Sequence, residues 1–148
     1  KGFTVMSVKQ ISVFLENKAG RLADVTRVLA SNKIDINALS IADTTHFGIL
    51  RLIVNDPDSA EKILRDEGFT VSSSPVLAIA IEDTAGSLSV ALDVLNEKEI
   101  GIDYIYAFVG RTHSKALVVF RVEDITAATA VLTAAGITVL KDEEVYSL

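Results

Sequence analysis

The chain has 148 residues, 49% of them hydrophobic, with 14 basic against 20 acidic side chains and a net charge of −6. That balance excludes a disordered polymer and argues against a nucleic-acid partner, which needs a basic face. With no cysteine, no leader of charged then apolar residues, and a longest apolar run of only Val76 to Ile81, it excludes disulfides and thiolate chemistry and predicts a cytoplasmic globular protein without a membrane partner.

Residues 1–5 read as a foreign extension ahead of Met6, the only methionine, although Gly2-Phe3-Thr4-Val5 echoes Gly68-Phe69-Thr70-Val71. Ile11, Val13 and Leu15 then alternate with Gln10, Ser12 and Glu16, the period of a strand. Leu22, Val25, Val28 and Leu29 follow at helical spacing. Ile36 to Ala42 and Phe47 to Val54 predict two strands around a turn at Asp43-Thr44-Thr45-His46. Asp56 as N-cap, Pro57 at the first helical position and Gly68 as a stop bracket a second helix. Phe69-Thr70-Val71 gives a last short strand, and Ser72-Ser73-Ser74-Pro75 reads as a linker.

Beyond that linker the chain repeats itself. Glu16-Asn17-Lys18-Ala19-Gly20-Arg21-Leu22 falls on Glu82-Asp83-Thr84-Ala85-Gly86-Ser87-Leu88, and Ile34-Asp35-Ile36 on Ile100-Gly101-Ile102. After a short insertion in the second copy, Val54-Asn55-Asp56 matches Val122-Glu123-Asp124, and Gly68-Phe69-Thr70-Val71 matches Gly136-Ile137-Thr138-Val139. The elements run β-α-β-β-α-β twice, over residues 6–73 and 74–148. The expected class is α+β: two ferredoxin-like βαββαβ units, antiparallel sheets with helices on one face.

Reactive groups are few. His46 and His113 occupy comparable turns and lack the companions of a metal site or a catalytic pair. Ser72 to Ser74 carries no nucleophile pattern, and neither Gly20 nor Gly86 belongs to a phosphate- or dinucleotide-binding fingerprint. Asp142-Glu143-Glu144 reads as a solvated end. The expectation is no enzyme, no cofactor and no metal.

The loop into the first helix differs. Both copies place Asn or Asp, two residues, Gly, and Leu two further on: Asn17, Gly20, Leu22 and Asp83, Gly86, Leu88. Two readings stand side by side. Asn or Asp is a good N-cap and Gly eases a tight turn. Equally, unpaired amides and the positive helix end favour a carboxylate while Asn17 or Asp83 faces an ammonium, which suits a zwitterion.

Two such units, with that loop motif and with Ile-Asp-Ile or Ile-Gly-Ile opening the second strand, resemble tandem ACT domains over nearly the whole chain from Met6. The resemblance implies a stand-alone regulatory pair that binds a free amino acid where two domains associate side by side. By position it implies a ligand loop of Asn17, Lys18, Ala19, Gly20, Arg21 and Leu22, matched by Asp83, Gly86 and Leu88. The ligand-facing position opening strand 2 falls on Asp35, with Asn37 beside it. The second copy has Gly101 there, so the first is the better candidate. Asp35 or Asn37 of one unit would close the pocket formed by the loop of its neighbour.

The pleat gives a further expectation. With Ile11, Val13, Leu15, Leu50, Leu52 and Val54 facing the helices, the opposite face carries Phe14, Ala38, Ile49, Arg51 and Ile53. In the second copy it carries Ala78, Tyr104, Tyr106, Phe108, Val119 and Arg121. This face is too apolar for water and predicts packing on another sheet, within the chain or in a homodimer, with Tyr104, Tyr106 and Phe108 near the contact and Arg51 and Arg121 as its polar members. Residues 1–74 carry nine basic and nine acidic groups, whereas residues 75–148 carry five and eleven, which fits copies diverged in role. The leading reading is a non-catalytic amino-acid sensor. The alternative is a regulatory subunit that contacts a biosynthetic enzyme without a ligand of its own.

Overall fold

The computed structural model describes residues 7–16, 18–43, 46–109 and 115–148; the extension before Met6, Asn17, the tip of the first turn and His113 lie outside them. Two compact units divide the chain. One is Lys9–Ser74 with Tyr146–Leu148, the other Pro75–Val145 with Val8.

The first repeat consists of β1 (Val8–Glu16), α1 (Arg21–Ser31), β2 (Ile36–Asp43), β3 (Phe47–Val54), α2 (Pro57–Asp66) and the start of β4 (Thr70–Glu82). Strand β3 lies between β1 and β2, antiparallel to both, with Leu52 opposite Ile11 on one side and Leu39 on the other. This register aims Ile11, Val13, Leu15, Leu50, Leu52 and Val54 at the helices. There they pack with Val25 and Leu29 of α1 and Ala60 and Leu64 of α2 into one core. Each large side chain so buried contributes about 1.5–3 kcal/mol, which makes this face the main source of the unit's stability. Helix α2 has the predicted ends. The Asp56 carboxylate accepts a hydrogen bond from the Ser59 amide at 3.2 Å, Pro57 sits in the first turn, and Gly68 stops the helix with φ 93°.

The second repeat adds α3 (Ser87–Glu97), β5 (Tyr104–Ala107), β6 (Lys115–Arg121), α4 (Ile125–Ala134), β7 (Thr138–Val139) and α5 (Asp142–Tyr146). Its strands pair antiparallel in the order β5-β6-β4-β7. Leu77, Ile79, Val118 and Phe120 meet Ala91, Leu95, Ala128 and Leu132 of the helices in a separate core. Asp124 caps α4 as Asp56 caps α2, accepting from the Ala127 amide at 3.0 Å. Each unit therefore has the ferredoxin-like α+β build, with its helices on one sheet face. Among the described residues no helix is long and apolar enough to cross a membrane.

Four details correct or extend the sequence reading. Ser72–Ser74 is not a loop but part of β4, where Val71 and Val76 are buried and the Ser74 hydroxyl takes a hydrogen bond from the Gln10 side-chain amide at 3.4 Å. Gln10, on the pleat face opposite Ile11, Val13 and Leu15, is 0% exposed. A bulge at Asn37 shifts the β2–β3 register, so Ile36 lies opposite Val54 and Ala38 opposite Ile53; the extra residue turns Ile36 towards the helices and Ala38 away from them. Finally, the acidic run Asp142-Glu143-Glu144 is exposed, as expected, but it belongs to a helix. It opens α5, which is anchored by fully buried Val145, and the Tyr146 hydroxyl accepts a hydrogen bond from the Lys9 amide at 2.9 Å.

Candidate functional site

The two motif loops turn into their helices in the same way. Helix α1 opens at Gly20 with φ 92° and α3 at Gly86 with φ 93°, and neither has a side-chain cap. The N-cap position is thus the glycine in both, and of the two readings of Asp83 the side-chain N-cap is not the one seen. The left-handed φ is the reason: it makes the last loop residue a glycine and leaves Asp83 three positions upstream. A Cβ at Gly20 would meet nothing within 4 Å, so the requirement there is conformational, not steric. The Arg21 amide turns back to the Lys18 carbonyl at 3.5 Å, and the start of this eleven-residue helix is the positive end of its dipole.

Beside the start of α1 lies a cavity of about 530 Å³, walled by Leu15, Glu16, Lys18, Ala19, Arg21, Leu22, Ile41, Asp43 and Gly48. Strand pairing assembles it. Glu16 is opposite Phe47 and Asp43 opposite Gly48, so the ends of β1 and β2 and the start of β3 converge where the loop begins. Leu22 and Ile41 are apolar residues left 39% and 49% exposed, and they share the wall with Asp43 and with Glu16, which Lys18 and Arg21 approach at 4.0 and 3.6 Å.

Arg21 is held in place. Its guanidinium lies 4.7 Å from the centre of the Phe69 ring, its Nη1 is 3.2 Å from Asp24 and its Nε 3.6 Å from Glu16. Arg27 and then Arg21 keep the Asp24 carboxyl below its ordinary range. A stacked, paired guanidinium has few orientations left to lose, so it is preorganised as a wall of the cavity.

Of the residues expected at a site, Lys18, Ala19, Arg21 and Leu22 meet at this cavity, with Gly20 in the turn between them. Asp35 and Asn37 do not. They lie at the other end of β2, where the Asp35 amide donates to the Asn55 side-chain Oδ1 at 2.9 Å and the Asp35 carbonyl accepts from the Asn55 amide at 3.1 Å, and Asn37 is buried in the bulge. Leu39 also lies outside the cavity, although Ile41 joins it. Glu16, Asp43 and Gly48 were not foreseen; the convergence of strand ends would have pointed to them. In the second repeat Asp83, Gly86 and Leu88 are exposed, and the cavity found there, of about 230 Å³, is walled by Ser87 but by none of these three.

On the sheet face away from the helices, Ala38, Ile53, Ala78 and Val119 are fully buried, and Phe108 and Leu117 nearly so. Tyr104 and Tyr106 are half-buried, their rings stacked at 6.4 Å. Arg121 pairs with Asp103, while Arg51 is half-buried on β3. Phe14 and Phe47 stack at 5.6 Å and stay exposed. Among the described residues no group of His, Asp or Glu is placed to hold a metal ion.

The model of the ACT domain pair matches residues 6–148. The chain belongs to this family. ACT domains are regulatory, and this ACT pair is 39% identical to a Bacteroides thetaiotaomicron protein of known crystal structure, over 97% of this chain and 98% of that one, with a TM-score of 0.90. It shares its fold with the regulatory subunit of aspartate kinase from Thermus thermophilus, at 15% identity over 91% and 97% of the two chains and a TM-score of 0.62. Aspartokinase alpha and beta subunits are similar in fold at 16% identity over 86% and 91%, with a TM-score of 0.58. No curated protein matches the chain.

Proposed function

We propose that this ACT pair is a non-catalytic amino-acid sensor whose first repeat binds a free amino acid at the start of α1. The observation that supports this reading best is the cavity itself: a helix start without a side-chain cap, Lys18 for a carboxylate, Glu16 and Asp43 for an ammonium, and Leu22 and Ile41 for an apolar side chain. Opposite charges a few ångströms apart select a zwitterion over a simple acid or amine, because either half alone meets an uncompensated like charge. Asp35 is remote from this cavity along β2 and would reach a ligand only from a neighbouring unit, of this chain or of a second copy; we take the sensing form to be a homodimer. The ligand then shifts the pairing equilibrium by binding the associated state better. The listener is a metabolic enzyme in the same cytoplasm.

Titration calorimetry with the twenty amino acids tests this. Heat for a neutral apolar amino acid, lost in Gly20→Val and in Ile41→Arg while circular dichroism is unchanged, supports the reading. No heat for any amino acid at millimolar concentration removes it.

A further inference from the structure

The duplicated chain contains its own comparison. Glu16, Arg21, Asp24 and Phe69 of the first repeat correspond to Glu82, Ser87, Val90 and Ile137 of the second. In the first repeat the corner between these residues is filled by the Arg21 side chain lying over Phe69 and paired with Asp24 and Glu16. In the second the arm is cut back to Ser87, and a cavity of about 230 Å³ opens between the start of α3 and the Gly136–Thr138 connection. The lost cation is replaced from another strand: Lys115 of β6 lies opposite Glu82 in the β4–β6 register and pairs with it. Charge is restored, and the volume is left vacant.

We infer that this vacancy is a second ligand site, for a small aliphatic α-amino acid, on the opposite flank of the helix start from the first-repeat cavity. The first cavity is closed by the ends of β2 and β3, through Ile41, Asp43 and Gly48; this one is closed by the connection from α4 to β7. The Glu82–Lys115 pair presents one carboxylate and one ammonium at its wall. A zwitterion answers both, its ammonium on Glu82 and its carboxylate on Lys115. A bare carboxylate is repelled by Glu82 and a bare amine by Lys115. Ile81, Ile137 and Val90, the last 60% exposed, supply the apolar surface for a short side chain. The ligand class extends the sensor reading, but the place is independent of it.

Amide NMR of the full chain, titrated with L-alanine, L-valine and L-leucine, tests the inference, with isobutyrate and isobutylamine as half-ligand controls. The expected result is saturable shifts at Val90, Ile137 and Lys115 with an amino acid and none with either half. Ser87→Arg refills the corner as Arg21 does, and Val90→Trp closes it from the other side. Each removes these shifts and leaves those at Lys18 to Leu22 in place. Shifts confined to Lys18 to Leu22 overturn the second site and leave the sensor reading standing. Shifts confined to the second repeat support it and overturn the first-repeat site. Equal shifts with isobutyrate alone, or shifts that persist in both variants, overturn the assignment, and no shift with any of the amino acids overturns it too.

Discussion

Lys33 and Glu99, equivalent residues of the two repeats, share a left-handed backbone conformation, with φ 60° and 56°. Each follows a helix and closes it with the same pair of hydrogen bonds. The Lys33 amide donates to the Ala30 carbonyl at 3.0 Å and the Ile34 amide to Leu29 at 2.9 Å; Glu99 to Asn96 and Ile100 to Leu95 repeat the pattern at 2.9 and 3.0 Å. Helices α2 and α4 end in the same motif but place Gly68 and Gly136 at that position.

A side chain in this conformation costs about 1 kcal/mol, part of which glycine returns as entropy in the unfolded chain. Lys33→Gly and Glu99→Gly are therefore expected to stabilise the protein, each by about 0.5 kcal/mol. Urea unfolding checks this: the midpoint rises and the slope stays constant. Gly68→Ala and Gly136→Ala should lower it.

Gly20 holds the same left-handed angle at the opposite end of a helix, where only glycine adopts it without strain. Gly20→Ala is expected to cost about 1 kcal/mol and to weaken amino-acid binding, because the loop must rearrange to relieve a φ of 92°. Gly101, which has open space around its Cα and no positive φ, is the control. Gly101→Ala should leave stability and binding unchanged within error in thermal unfolding and calorimetry.

Gln10 is fully buried with its side-chain amide on Ser74. Gln10→Ala strips packing and leaves buried polar partners unsatisfied, a loss expected at about 2 kcal/mol. Ser74→Ala, which removes one weak bond from the set, should cost less. Chemical denaturation of the two variants side by side decides whether the buried amide outweighs its hydroxyl partner.

Lys9 reaches Asp58 at 2.6 Å and Glu61 at 2.8 Å, and its hydrogen bonds to Asp58 and then Glu61 raise its pKa above the ordinary 10.5. A raised ammonium pKa stabilises the fold in full below the unfolded lysine value. The contribution disappears as pH climbs from there through the higher folded value. Wild type should exceed Lys9→Met in stability at neutral pH, and the gap should close above about pH 10.5. A gap constant with pH would mean that the lysine stem, not its charge, stabilises the fold.

Much of the fold is written in local chemistry. Asp56, Pro57 and Gly68 mark their helix because capping and left-handed stops act over a few residues, and the alternation of Ile11, Val13 and Leu15 marks β1 because one face must be dry. What escaped depends on distant partners. Three serines and a proline look like a linker until Gln10 supplies an acceptor's counterpart for Ser74. The buried face of Gln10 itself is invisible in a pattern that sorts polar from apolar. For the site, the loop was legible from its recurring glycine and leucine, and the exposed Leu22 accords with more than a core role. Glu16 and Asp43 were not, because they join the loop only through the β1–β3 and β2–β3 registers. Sequence spacing left the cap and site readings of Asp83 open because it does not encode the left-handed angle that makes Gly86 the cap position.

The contrast between Arg21 and Ser87 has an evolutionary consequence. When a gene doubles, its halves start as synonyms, and they acquire separate meanings only if some change alters one without spoiling the fold both inherit. Exchanging one long arm for a short one at a helix entrance does this while both entrances keep the same left-handed glycine turn. Novelty in such a duplicated scaffold can come by subtraction.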